Sequence, residues 1–201
     1  MNKGSLFVIS GPSGTGKGTV CEALLKKEPI FLSVSATTRD QRNNEVDGET
    51  YHFVSEERFR SMIDEEKMLE WAVYNGNYYG TPKKAVEDML EQGKNVLLEI
   101  EPQGALKVKE MMPEAVLIFI LPPSMKELKR RLEDRGRENA EQIRKRLDAA
   151  AWEMEQAPKY NEMIVNDDLE ACVEDVCGVI RKRSSKMERL DALLNEIEKR
   201  L

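Results

Sequence analysis

The chain has 201 residues, 40% hydrophobic and 34% charged, enough apolar material for one core near the upper single-domain size and too much for a disordered chain. With 31 basic against 37 acidic residues the formal charge is −6, which excludes a protein that grips a nucleic-acid duplex over a wide basic surface; any phosphate binding must be local. No run of 18 apolar residues occurs and the opening MNKGSLFVIS lacks the long apolar region and cleavage site of a signal peptide, so a cytoplasmic protein with no membrane anchor is expected.

In chain order, Leu6–Ile9 is a short, partly β-branched apolar run of the kind that forms a strand covered on both faces. A glycine-rich turn follows, and from Gly16 the positions Val20, Ala23 and Leu24 repeat at helical spacing until Pro29 stops them. Further buried strands are predicted at Phe31–Val34, Val96–Ile100, Val116–Leu121 and Met163–Val165, and the alternation in Tyr51-His52-Phe53 also reads as strand. Helices separate most of them. One is predicted to start at Thr81-Pro82, with threonine as cap and proline at the first helical position, and to stop at Gly93; another starts at the Ser124/Glu127 capping box. Strands alternating with helices imply an open parallel sheet with helices on both faces, an α/β fold whose ligands sit at the strands' carboxyl ends. Two segments interrupt the alternation. Residues 36–90, rich in Arg, Tyr and Glu, read as an inserted lobe, and residues 125–157 as two charged helices around Arg135-Gly136 forming a lid. The core then comprises about 1–35, 91–124 and 158–201 of a single 1–201 domain. The charged periodicity from Leu169 to Leu201 predicts a terminal helix whose part in self-association, like the oligomeric state, the sequence leaves open.

Three cysteines, Cys21, Cys172 and Cys177, form no CxxC pair and read as buried thiols. A single histidine, His52, leaves no partner for a zinc site and weakens any imidazole-based nucleophilic scheme. The chemistry must lie elsewhere.

It lies first in Gly11-Pro12-Ser13-Gly14-Thr15-Gly16-Lys17-Gly18-Thr19, which satisfies GxxxxGK directly after a strand and before a helix. Main-chain N–H groups of such a loop converge on phosphate oxygens, the helix offers its positive end, and Lys17 adds a full charge. Gly18 stands where Ser or Thr usually meets Mg²⁺, leaving Thr19 as the hydroxyl at hand. The GKGT ending is typical of small nucleotide kinases.

Other motifs extend this. Ser33-Val34-Ser35-Ala36-Thr37-Thr38-Arg39, Glu45-Val46-Asp47-Gly48, Tyr51-His52-Phe53, Glu70-Trp71-Ala72, Tyr79-Gly80-Thr81-Pro82, Pro102-Gln103-Gly104-Ala105, Leu121-Pro122-Pro123-Ser124 and Val165-Asn166-Asp167-Asp168, together with the glycine loop, closely resemble guanylate kinases, up to about residue 180. The resemblance implies transfer of the γ-phosphoryl group of ATP to GMP, with Mg²⁺, by an enzyme of purine nucleotide metabolism. It implies ATP contacts from Gly11 to Thr19 and at Asn166, although Asn166, shared with Asp167 or Asp168, suits capping of the last helix equally well. It implies a GMP lobe in which Arg39, Arg42, Tyr51 and Tyr79 clamp the phosphate. Bidentate guanidinium groups suit such a dianion.

For the base, the carboxylate of Glu70 can accept guanine's two adjacent donors while Ser35 and Thr81 complete the edge; adenine would present a lone pair to it. In Val96-Leu97-Leu98-Glu99-Ile100-Glu101 a strand ends in two carboxylates on one face. By the match, Glu99 helps hold hydrated Mg²⁺ with Thr19, and Glu101 faces GMP. Aspartates are usual at both places, as are Pro and Gly where this chain has Gln41 and Asn44. Transfer needs positioning and charge neutralisation more than covalent work; Lys17 suits that role by its place in the loop, and the resemblance implies Arg42 and the lid arginines Arg135 and Arg146 as the further catalytic cations, with Arg131, Arg137 and Arg144 close by. A related peptide-binding module without catalysis is opposed by the intact loop, and a kinase for another nucleotide by Glu70 and Ser35.

Overall fold

The computed structural model describes residues 3–74, 76–134 and 139–198. Its core is a five-stranded parallel sheet in the order β2-β7-β1-β8-β9, made of β1 (Leu6–Ser10), β2 (Ile30–Leu32), β7 (Asn95–Glu99), β8 (Val116–Leu121) and β9 (Glu162–Val165). The apolar runs exist because both faces are covered. Along β1, Leu6 and Val8 enter one hydrophobic cluster and Phe7 and Ile9 the opposite one, so the period-two alternation separates two cores rather than core from solvent. Helices α3 (Lys83–Glu91) and α4 (Pro102–Met111) contribute Val86, Leu90, Ala105 and Val108 to the first core. Helices α1 (Lys17–Leu25) and α7 (Leu169–Glu198) contribute Val20, Leu24, Val173 and Val176 to the second. Cys21, Cys172 and Cys177 are buried thiols there.

A second sheet, in the order β4-β3-β6-β5, is built from β3 (Ala36–Thr37), β4 (His52–Phe53), β5 (Met68–Tyr74) and β6 (Asn77–Pro82), with α2 (Glu56–Asp64) packing Phe59 beneath it. Helices α5 (Met125–Asp134) and α6 (Ala140–Glu155) pack Leu128, Leu132 and Ala150 together near the glycine loop. Among the described residues no helix is long and apolar enough to cross a membrane.

One expected boundary is corrected. Thr81 and Pro82 do not open α3; they end β6, and Pro82 flanks the helix as a cap without a side-chain hydrogen bond. The pairing of β5 with β6, from Met68 opposite Pro82 to Tyr74 opposite Asn77, outweighs the local capping signal and frees the Thr81 hydroxyl for another partner. Gly93 does end the helix, at φ 77°, and Ser124 does cap α5 by accepting the Glu127 N–H at 3.1 Å.

Candidate active site

Every strand of the parallel sheet delivers its carboxyl end to one edge, and the polar groups gather there. β1 runs into Gly11–Gly16, which turns into α1. Gly11, at φ 141°, has no room for a side chain, because a Cβ would stand 2.3 Å from the Ile120 carbonyl oxygen. Gly16 caps α1 in the left-handed conformation at φ 91°. Asn166, just past β9, donates from Nδ2 to the Thr15 carbonyl at 2.7 Å and so braces the loop from outside. The last helix is capped instead by Asp168, whose Oδ1 accepts the Ala171 N–H at 2.9 Å. Lys17 folds back over the loop: its buried Nζ donates to the carbonyls of Gly11 at 2.6 Å and Pro12 at 3.2 Å and lies 4.0 Å from Glu101.

β7 sits beside β1 with Glu99 in register with Ile9, which places Glu99 under the loop. Its oxygens lie 3.6 and 3.8 Å from where a Cβ on Gly18 would be, and burial pushes its carboxyl above the ordinary range. Thr19 is exposed on α1, so Gly18 rather than Thr19 is the residue beside Glu99. Glu101 follows at the start of α4, with one oxygen buried and unpartnered among the described residues.

A cavity of about 430 Å³ opens from Lys17, Glu99 and Glu101 towards the second sheet, and Ser13, Ser35, Arg39, Arg42, Tyr51, Glu70, Tyr79 and Arg146 also line it. Residues from five separate stretches of sequence thus share one cleft. Glu70 is buried; its Oε1 accepts the Thr81 hydroxyl at 2.8 Å, and desolvation raises its carboxyl above the usual range. The Tyr51 hydroxyl is pushed up to about 12 by burial, so it stays a neutral donor at physiological pH. Tyr51 stands edge-on to Tyr79 at 6.0 Å, and the Arg39 guanidinium lies over its ring at 5.3 Å. Arg135 and Arg137 lie outside the described residues. Arg131 turns away from the cavity, donating to Glu127 and to the Asn166 carbonyl.

Two acids were not foreseen. Glu45 holds Arg39 in a fork, accepting from Nη1 at 2.8 Å and Nη2 at 2.7 Å, and takes the Arg42 backbone N–H at 2.9 Å; the arginine contact holds its carboxyl down at about 2. Glu153, on α6, accepts the Ser13 backbone N–H while Arg146, on the same helix, donates to the Ser13 hydroxyl at 3.1 Å. The seven-residue spacing of Arg146 and Glu153, which puts both on one helical face, was the available sign.

Glu153 is 7% exposed, and burial followed by the neighbouring Glu101 charge pushes its carboxyl up to about 7. A carboxyl raised in the fold keeps its proton after the unfolded chain has lost it, so its stabilising contribution is full at acid pH and fades as pH rises to about 7. Glu153→Gln is therefore expected to match the parent at pH 4 and to exceed it at pH 8 by about 1–3 kcal/mol in urea unfolding. Equal stabilities at both pH values would contradict this.

A glycine-loop strand and helix, a parallel sheet presenting its carboxyl edge, and a second anion-friendly pocket sharing one cleft define a P-loop kinase that phosphorylates a small nucleotide. Known proteins narrow the class. The family model for guanylate kinase matches residues 3–183. The guanylate kinase of Clostridium perfringens is 52% identical over 196 residues, covering 97% of this chain and 91% of the relative. That of Caldanaerobacter subterraneus is 52% identical over 188 residues, 93% of this chain and 91% of the relative. The solved guanylate kinase of Anaplasma phagocytophilum superposes with a TM-score of 0.76 at 37% identity, covering 90% of this chain and 86% of that one. The chain belongs to the guanylate kinase family, enzymes that transfer a phosphoryl group from ATP to GMP.

Proposed function

We propose that Gly11–Thr19 seats the terminal phosphates of ATP, that GMP fills the cavity between Glu101 and the second sheet, and that the reacting phosphates meet beside Lys17. The observation that carries this reading is the single cleft with the loop lysine at one end and Glu70, Tyr51, Tyr79 and the two arginines on its other walls. The Glu70 carboxylate accepts guanine N1–H and the 2-amino group, while the Thr81 hydroxyl donates to Glu70 and Ser35 lies beside the base. Arg39, already aligned by Glu45, turns its remaining donors to the acceptor phosphate with Arg42, Tyr51 and Tyr79. The unpartnered oxygen of Glu101 takes a donor from GMP. Asn166 acts at the donor site by bracing the loop near the adenosine end.

Mg²⁺ fits the residues present. Glu99 is a half-buried carboxylate whose charge a cation would compensate, and no group of three or more acidic, histidine or cysteine side chains converges among the described residues. An ion there would take its other ligands from water and phosphate oxygens, as Mg²⁺ prefers. When bound, it would neutralise charge on the phosphates. Thr19 contributes at most through solvent, given its exposure.

The inserted lobe at 36–90 binds GMP and the 125–157 segment is the lid, whose Arg146, with Arg135, brings positive charge to the transferring group. Their approach excludes water and protects the γ-phosphoryl group from hydrolysis. The setting is cytoplasmic and the substrates are free nucleotides, with no role for nucleic acid. An acceptor panel with purified protein, ATP and Mg²⁺ tests the reading: ADP formation is expected with GMP and at least about a hundredfold slower with AMP, UMP or dTMP. Equal rates with all four would remove guanine specificity.

A further inference from the structure

We propose that Gly104, on the first turn of α4, is a specificity-determining position, because its bare Cα provides the seat in which the Glu70 carboxylate is held for guanine. This rests on the reading of Glu70 as the guanine acceptor. A Cβ built on Gly104 stands 2.4 Å from Glu70 Oε2 and 3.1 Å from Glu70 Cδ, with Ile100 Cδ1 at 3.5 Å. Contacts that short do not persist, so something must move.

The backbone is held. Lys107, almost one turn further along α4, donates to the Trp71 carbonyl at 2.6 Å and ties the helix to the strand that carries Glu70. Glu70 and Thr81 face each other in the β5/β6 pairing, and Thr81 is fully buried. What yields is the end of the Glu70 side chain, which leaves the Thr81 hydroxyl and its aim into the cavity. The fold has no need of glycine there. Gly104 lies within the helix, outside the positive-φ region that favours glycine, where alanine is the better helix former. The absent side chain is explained by the carboxylate against it.

Stability and recognition are therefore expected to separate. In the full-length chain, Gly104→Ala raises KM for GMP by about 10–100-fold, leaves KM for ATP and kcat within about threefold, and keeps Tm within about 5 °C of the parent, the freed Thr81 hydroxyl being offset in part by the better helix former. Shortening the acid restores room, so adding Gly104→Ala to Glu70→Asp costs less than about threefold in KM for GMP. KM for GMP unchanged in Gly104→Ala overturns the proposal, as does a parallel loss for ATP with a fall in Tm beyond that range, or the same loss whether or not Glu70→Asp is present. Glu70→Ala, measured alongside, separates the two ideas. If it leaves KM for GMP unchanged, the assignment of Glu70 fails; if it raises KM while Gly104→Ala does not, only the role of Gly104 fails.

Discussion

Lys17→Ala is expected to lower kcat by about a thousandfold while leaving a folded protein. In the fold its ammonium is buried and bonded to the Gly11 and Pro12 carbonyls, against the loop proposed to seat the ATP phosphates. Phosphoryl transfer spreads negative charge over oxygens that main-chain dipoles alone neutralise only partly, so a full charge at this distance acts mainly on the transition state. The structural cost is smaller. Lys17 also offsets Glu99, Glu101 and Glu153, and losing it pushes the Glu99 and Glu153 carboxyls further up, at about 1–2 kcal/mol of stability. Single-turnover kinetics with a thermal melt check both halves; turnover above a tenth of the parent's would refute the role.

Glu70→Gln carries the second large effect. The amide keeps the size and one acceptor but places a donor against one of guanine's two donors, so kcat/KM for GMP should fall about 100–1000-fold and the gap between GMP and AMP should narrow. The same change removes a buried carboxyl whose charged form the fold disfavours, and the Thr81 hydroxyl keeps an oxygen to bond. Unfolding should then become harder by about 1 kcal/mol at pH 7, a gain in stability against a loss of function. A variant that keeps full preference for GMP would show that the carboxylate does not read the base.

Some neighbourhoods were legible because their causes are local. The glycine loop is contiguous, and its form follows from glycines, a following helix and one lysine. The strands were found because an apolar run buried on both faces needs no partner's identity to be recognised. Thr81-Pro82 was misread for the opposite reason: a cap signal is local, but the pairing that overrode it runs through Tyr78 to Val73 and Gly80 to Trp71 on a neighbouring strand. Glu45 and Glu153 sit in acid-rich stretches where a solvated face is the ordinary reading. Only the fold reveals that one grips Arg39 and the other the Ser13 amide.

By itself, then, the sequence determined the class of sheet, the glycine-loop motif and the residue types that the fold gathers in one cleft, since each depends on periodicity or on residues within a few positions of one another. The tertiary structure alone decided that Gly18 rather than Thr19 stands beside Glu99, that Asn166 braces the loop while Asp168 caps the helix, and that Gly104 abuts Glu70. Those are contacts between segments brought together by long-range packing. The direction of a side chain across such a contact is set by which strand lies next to which, and no local pattern encodes that.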